Sequence, residues 1–599
     1  MSRNTGTALT DPKWSTPGVA GASNRPGRCG ESLDEACCSG PGSSRVVSEA
    51  ITADLTQAQH TVRKSLIVAA LILSAPALKS QAVPSDDPIL RRIWSIGMDS
   101  SETPRLTQVF LDSLGPRLLG SPNMRGSQDW LMQQYAAWGI ESIAEKFGTW
   151  RSWRRGYSHI DLVEPRVRTL EGTMLGFSPG TKKKDKIAEA VILPRFADST
   201  EFVKWLPQAK GKLVLVSAAL PSCRPTEDWQ KNAVPAVAAR GDSARVQAQR
   251  EWGGRNVRGT GYSLALGGGE LAVRLEQAGA AGVISSRPKN GRGTMEIFET
   301  YTTRVPTLGL SCEDYGLVFR LAENNQHPKI RMNLDAELLG EQPVANIIAR
   351  MPGTAKPNEY VMLSAHFDSW DGSSGATDNG TGTIMMMEAM RILKQVLPNP
   401  KRTILVGHWA GEEMGLVGSN AYVEDHPEVL QGLQGLFNQD NGTGRITRLG
   451  AGGLPNGALH LTEWVKKLPQ EFQSQLNYTG APGAPSGGGS DDASFSCHGV
   501  PVFGLGAAGW DYGNLTWHTD RDTYDKLVFD EFKANATLVA MLAYQASEDP
   551  AFITRERVDL NAQPAGGPPG AAARPGGPPP PRTWPVCATA PRVTRPRLK

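Results

Sequence analysis

Cysteine is scarce, at seven residues in 599, and no two or four of them stand at a zinc-binding spacing. Cys223, Cys312, Cys497 and Cys587 lie far apart, and Cys29, Cys37 and Cys38 sit in a Gly/Ser/Thr-rich stretch without apolar period. A cysteine-bound metal is therefore not expected, although export would permit a disulfide such as Cys223–Cys312. A charge excess is also missing. Lys and Arg number 63 against 60 Asp and Glu, a net charge of +3. With no basic stripe interleaved by aromatics, nucleic acid is excluded as a partner. Long apolar runs are absent too. The longest, Ser65 to Leu78, falls short of the roughly 20 residues that span a bilayer, so no stable membrane span is expected. Gly487-Gly488-Gly489-Ser490 lacks the Lys-Ser/Thr of a phosphate loop and reads as a flexible wall of a substrate cleft.

The beginning of the chain reads as leader. Residues 1–61 show no pattern that would bury a core. In 62–82, Arg63-Lys64 precede the apolar centre Leu66 to Leu73, and Ser80-Gln81-Ala82 offers small residues for cleavage before Val83. That is the pattern of a signal peptide, so export to a periplasmic or extracellular space is expected. The signal's internal position places the start of translation near Val62, with 1–61 as an upstream artefact. The competing reading is a buried helix behind a disordered tail.

The chemistry concentrates between Glu359 and Tyr524. An apolar run, Tyr360 to Ala365, ends on His366-Phe367-Asp368, and ten residues on comes Asp378 in Ala376-Thr377-Asp378-Asn379-Gly380. A second run, Thr403 to Trp409, ends in Ala410-Gly411-Glu412-Glu413. A third, Leu433 to Phe437, ends in Asn438-Gln439-Asp440. Gly504-Leu505-Gly506 leads to Trp517-His518-Thr519. In open α/β sheets, ligands bind outside the carboxyl ends of the strands. Two histidines and several carboxylates there, without cysteine, suit zinc. Five ligands exceed one open four-coordinate site. They suit two ions sharing a carboxylate, roughly 3.5–4 Å apart.

This ordered set resembles the di-zinc exopeptidase family that includes aminopeptidase Y, bacterial leucyl aminopeptidases and carboxypeptidase Q. The resemblance runs from about Ile89 to Ala546 and is sharpest at His366–Asp378 and Glu412–Glu413. It implies that His366 and Asp440 bind one zinc, that Glu413 and His518 bind the other, and that Asp378 bridges them. It implies Glu412 as general base and Asp368 as the acid that fixes the His366 ring. Asp522 would be the partner of His518. Two departures touch the substrate wall: Trp517 stands where relatives often have Tyr, and Ser490-Asp491-Asp492 replaces Ser-Asp-His.

The resemblance also implies the architecture: α/β, a mixed central sheet flanked by helices, with an inserted β-rich protease-associated domain. The peptidase domain is expected in two segments, 84–160 and 341–548, around the insert 161–340. Helices are expected at Ser127–Trp138, Gly380–Val396, Gly415–Val423 and Thr462–Gln475. Thr226–Thr260, polar and Arg-rich, reads as a long loop. The Pro/Gly-rich tail 549–599 reads as disordered. Arg117, Ser121, His408, His426 and His498 read as structural, and the methionines after Gly380 as core. The expected function is a secreted zinc exopeptidase acting on a peptide substrate near its N-terminus. The alternatives are a dipeptidase or carboxypeptidase Q-like enzyme, a non-catalytic binding protein on the same scaffold, and a one-zinc glutaminyl cyclase, which five ligands disfavour.

Overall fold

The computed structural model describes residues 85–561, apart from 255, 264 and 291, together with 582–587. The expected leader and signal peptide lie outside the described residues. Along the chain the first strands are β1 (Glu141–Glu164), β2 (Arg168–Thr169), β3 (Gly172–Met174), β4 (Lys186–Ile192), β5 (Leu213–Leu215), β6 (Gly282–Ser285) and β7 (Thr307–Leu310). Then follow β8 (Lys329–Met351), β9 (Lys356–His366), β10 (Arg402–Trp409), β11 (Leu433–Asn438), β12 (Ile446–Gly450) and β13 (Val502–Ala507). They join in the order β12-β13-β11-β9-β10-β8-β4-β5-β6-β7-β3, with β1 on β8.

The centre is parallel: β10 and β11 flank β9, and β13 lies on β11. Antiparallel β8 and β12 make the sheet mixed, as expected. β10 is buried along its whole length, which fits a strand covered on both faces. Parallel neighbours need crossover connections, and helices supply them. Those used below are α1 (Pro122–Ala137), α2 (Pro235–Trp252), α3 (Cys312–Glu323), α4 (Thr381–Val396), α5 (Val417–Asp425) and α6 (Phe529–Glu548). α4 links β9 to β10 and packs between β9 and α6. That leaves it no solvent face over most of its length, and Met385, Met386, Met387 and Met390 are all core.

The insert is a second sheet region, parallel β4 to β7 edged by β3. It is held by the β1–β8 ribbon, whose register runs from Glu141↔Arg350 to Glu164↔Lys329. One end of the ribbon, through Trp150, Trp153 and Ile347, packs into the larger core. The other, through Ile160, Leu162 and Ile330, packs into the core of the insert. The boundaries drawn at 160 and 340 therefore fall inside continuous strands. A strand that serves two cores shows no break in composition.

Other expectations differ from the structure. Thr226–Thr260 is not a long loop: it holds a short helix, Thr226–Asn232, and the 18-residue α2. Neither helix has a buried residue, so no apolar period marked them, although Ala, Arg and Gln favour helix. The helix expected at Thr462–Gln475 is two, Pro455–Lys466 and Gln470–Gln475, interrupted at Pro469. The tail is packed as far as 561. Ile553 is fully buried, and Arg402, buried in β10, donates to the carbonyls of Ala546, Ser547 and Ala551. Cys223 is bonded to Cys312, at the N-terminus of α3, and Cys497 to Cys587.

His408 is structural. Its Nε2 pairs with the Tyr135 hydroxyl of α1 at 2.8 Å, and burial lowers its pKa to about 3. The folded protein thus keeps His408 neutral where the unfolded chain takes a proton near pH 6.5. This contribution to stability is full above about pH 6.5 and is lost as pH falls toward 3, at about 1.4 kcal/mol per pH unit. Urea unfolding between pH 7 and 4 should show that slope reduced by one proton in His408→Leu.

Candidate metal centre

Four parallel strands end along one edge of the sheet. β9 ends on His366, β10 leads into Glu412-Glu413, β11 leads into Asp440, and the loop after β13 carries His518. Each turn that aims these side chains has a local cause. At Gly411 φ is +82°, and a Cβ would lie 2.4 Å from Val417 of α5, so only glycine turns the chain that brings Glu412 and Glu413 inward. Asp378 sits just before α4. The Asp522 carboxylate accepts from the Thr377 N–H at 2.7 Å, the Thr377 hydroxyl at 2.7 Å and the Asp378 N–H at 3.0 Å. Asn379 donates to the Gln439 carbonyl at 2.8 Å, and its own amide oxygen accepts from the Gly382 N–H. A Cβ on Gly382 would strike both Asn379 and that carbonyl.

The five expected ligands meet in two trios that share Asp378. In one, His366 Nε2 lies 3.1 Å from Asp378 Oδ1 and 3.4 Å from Asp440 Oδ1. In the other, His518 Nε2 lies 3.2 Å from Asp378 Oδ2 and 3.0 Å from Glu413 Oε2. Within each trio the donor atoms lie within 4.8 Å of one another. Among the described residues, buried Glu413 Oε1 accepts no hydrogen bond, and buried Asp378 Oδ2 and Asp440 Oδ1 each face a histidine nitrogen, at 3.2 and 3.4 Å. Buried anionic oxygens without donors are costly unless a cation faces them. Nitrogen and oxygen donors in this arrangement fit zinc. A third trio, Cys497, His498 and Cys587, has its sulfurs joined in a disulfide.

The electrostatics carry the same message. Burial pushes the Glu413 carboxyl up to about 7 and the Glu412 carboxyl well above its ordinary value, with neighbouring carboxylates adding to both. Burial works against protonated histidine. The carboxylates overcome it, raising His518 to about 10 and His366 well above its usual range. Asp378 is held low: its two histidine partners outweigh burial. Protons thus take up charge that a cation would neutralise. Arg117 is fully buried nearby and donates to the carbonyls of Phe367, Ser374 and Gly375. Burial lowers its pKa to about 10 against the pull of Asp522, Asp368 and Asp378. It is structural, as is Ser121, which caps α1.

Two supporting roles differ from expectation. His366 Nδ1 meets the backbone carbonyl of Asp368 at 3.1 Å, while the Asp368 carboxylate lies at 3.7 Å and accepts from the Glu412 N–H at 3.1 Å. Asp368 therefore orients the histidine with its main chain and Glu412 with its side chain. Asp522 is not the partner of His518, whose Nδ1 has no hydrogen bond among the described residues; it braces Asp378 instead. The His518 ring is held by packing. Trp517 stacks on it at 3.8 Å, and Phe298 and Trp370 meet it edge-on at 5.2 and 6.0 Å.

Two residues were not assigned to the metal centre from sequence. The Asp491 carboxyl is pushed up to about 8 by burial, with Asp368 and Asp440 adding to that against the pull of His366. The Tyr512 hydroxyl is raised well above its ordinary value by burial and then by Asp378 and Asp440. Asp491 was visible in Ser490-Asp491-Asp492, but it follows no strand, which is why its position was not read. Nothing in the sequence marked Tyr512.

Removing the carboxylate of Asp378 should abolish uptake at both positions, because both trios use it. Asp522→Ala leaves every ligand in place but frees the Asp378 backbone. It should weaken zinc affinity about 10- to 100-fold, measured by competition with a chromogenic chelator, while circular dichroism stays that of the parent.

Residues 346–543, which contain all five candidate ligands and Glu412, match Peptidase family M28. The chain is 26% identical over 335 residues to carboxypeptidase Q of Bos taurus, covering 56% of this chain and 63% of that protein. It thus spans less than two thirds of that relative's length. It is 30% identical over 217 residues to leucine aminopeptidase 1 of Phaeosphaeria nodorum, covering 34% of this chain and 55% of that one. The crystal structure of a peptidase M28 precursor from Shewanella amazonensis superposes with a TM-score of 0.57 at 23% identity, covering 78% of this chain and 97% of that one, and shares the fold. The match to Peptidase family M28 is confined to residues 346–543, about a third of the chain, the stretch that holds the two trios sharing Asp378.

Proposed function

We propose that this protein is an exported zinc-dependent exopeptidase that hydrolyses a peptide bond near the N-terminus of its substrate, with two zinc ions and Glu412 as general base. The observation that carries this reading is the pair of buried trios sharing Asp378, with a Glu413 oxygen that accepts no hydrogen bond among the described residues. His366 and Asp440 would hold one ion, Glu413 and His518 the other, and Asp378 both. Zinc, when bound, supplies Lewis-acid chemistry: it acidifies water and polarises a carbonyl.

The protein's own part is proton handling and exclusion of water. Glu412 takes the proton of the attacking water and delivers it to the leaving amine. Burial disfavours its charged form and so favours accepting that proton. Asp368, through the Glu412 N–H, keeps the base in place. Trp370, Phe298 and Trp517 wall the His518 side and reduce access of solvent.

The region between β1 and β8 is assigned as a protease-associated domain that shapes the cleft. In support, Glu296 bridges to Thr519, and the Ile297 N–H donates to the His518 carbonyl at 2.8 Å. Two disulfides fit an oxidising compartment, and no described helix is long and apolar enough to cross a membrane. A dipeptidase or carboxypeptidase reading is favoured by one observation, the cations Arg287 and Lys289 beside the His518 wall. Retention of every ligand and of Glu412 speaks against a binding protein without catalysis.

Glu412→Gln should keep about two zincs per chain by elemental analysis and lose 10²- to 10⁴-fold in kcat. Near-normal turnover would remove Glu412 from the mechanism. A panel of aminoacyl amides, N-blocked peptides and free dipeptides tests the end that is recognised: cleavage only with a free N-terminus supports the aminopeptidase reading.

A further inference from the structure

The crossover from β5 to β6 carries one helix that covers the sheet of the insert and another that does not. The helix Ala265–Gln277 buries Leu271, Ala272 and Leu275 in a core with Val214 and Val283. α2 lies in the same crossover and buries no residue. Its positions Gly241, Ala244, Arg245, Ala248 and Trp252 are half-buried and fall on one stripe at helical spacing. At its end, Trp252 meets Phe319 edge-on at 6.2 Å and holds Arg258 4.3 Å over its ring. Along the stripe before Trp252 the residues are mostly too small to fill the space beneath the helix.

That space is a cavity of about 490 Å³ between α2 and the carboxyl ends of β5 and β6. Small-molecule sites occupy roughly 300–1,000 Å³, and in open parallel sheets they lie outside those strand ends. The apolar walls include Val216, Leu220, Val283, Trp252 and Phe298. None of the five candidate metal ligands lines the cavity, nor does Glu412. The polar floor is preset. The Ser217 hydroxyl accepts from the Ser286 N–H at 3.0 Å, and the Ser217 N–H and carbonyl both bond the Tyr315 hydroxyl, at 2.8 and 2.7 Å. Ser286 is only 7% exposed, and its hydroxyl has no partner among the described residues. A buried hydroxyl is costly in that state unless something in the cavity bonds it.

Two guanidiniums, Arg245 and Arg287, also line the cavity. Arg287 gives its Nε to Glu296 at 3.1 Å, and its two terminal nitrogens make no hydrogen bond among the described residues. Arg245 is paired through Nη2 with Asp242 of the same helix, an exposed carboxylate that holds it weakly. Glu296 is the one acid in the lining, and Lys289 shares it at 2.7 Å. The cavity therefore carries a surplus of positive charge over apolar walls. We propose that it is a second binding site, separate from the metal centre, for a small organic anion with an apolar body. The walls take the body, and Arg245 and Arg287 take the head group through charge-assisted hydrogen bonds.

The experiment titrates octanoate and 1-octanol into the zinc-loaded full chain by calorimetry, for the parent, Ala248→Trp and Arg245→Gln. The parent should bind one octanoate per chain, about tenfold or more tighter than octanol. Ala248→Trp places an indole in the cavity and should weaken octanoate at least tenfold. Arg245→Gln should weaken octanoate about tenfold and leave octanol unmoved. Zinc content and circular dichroism establish that each variant is folded. Should Ala248→Trp fail to fold, Arg245→Gln, which changes a partly exposed side chain of α2, decides alone. No saturable binding of octanoate by the parent up to roughly 1 mM overturns the site. Equal affinity for octanol and octanoate overturns the anionic head group. Octanoate binding that both variants leave unmoved places the ligand elsewhere and overturns the assignment.

Discussion

One carboxylate, that of Asp378, faces two histidines at once, His366 through Oδ1 and His518 through Oδ2. Much of the surrounding structure exists to keep it there. Asp522 fixes the backbone on either side of the Thr377–Asp378 peptide, Asn379 ties the next residue to the Asp440 turn, and Gly382 lets α4 start against both. The result is a buried concentration of negative charge that the protein balances with histidine protons and with Arg117 underneath. The same crowding raises Glu412, because desolvation and like charge both disfavour its ionised form.

The second constraint is where His518 comes from. Unlike His366, it is not the last residue of a strand but part of a loop, and among the described residues no hydrogen bond orients its ring from behind. Its position depends on packing by Trp517, Phe298 and Trp370 and on main-chain bonds to residues 295–297. Those residues belong to the insert. The insert is thus part of the wall of the centre rather than an independent appendage, and the β1–β8 ribbon, shared between both cores, is what keeps the two in register.

This division explains what was legible. His366, Glu412, Glu413 and Asp440 follow apolar runs of strand length, and strand ends in a parallel sheet converge, so period and position sufficed to find them. α4 was legible for the same reason. The 24-residue β1 was not, because half of it faces one core and half another and its apolar pattern changes phase at bulges near Trp153 and Ser158. The exposed α2 had no apolar stripe to read. The tail from 549 read as Pro/Gly-rich and disordered, yet Arg402 draws its first residues in through carbonyl groups, which side-chain composition does not record.

The sequence by itself determined the chemistry: which nitrogen and oxygen donors are present, their order, and the sheet edge at which they gather. That follows because strand ends are set by local apolar pattern and the donor types by residue identity. Only the tertiary structure decided the supporting contacts. Asp522 turned to Asp378 rather than to His518, Asp368 divided its main chain and side chain between His366 and Glu412, and Lys289 came to rest over Trp517. These are pairings between residues tens to hundreds of positions apart, or choices among several atoms of one residue. Local pattern carries no information on either, since burial and packing select the partner after the chain has folded.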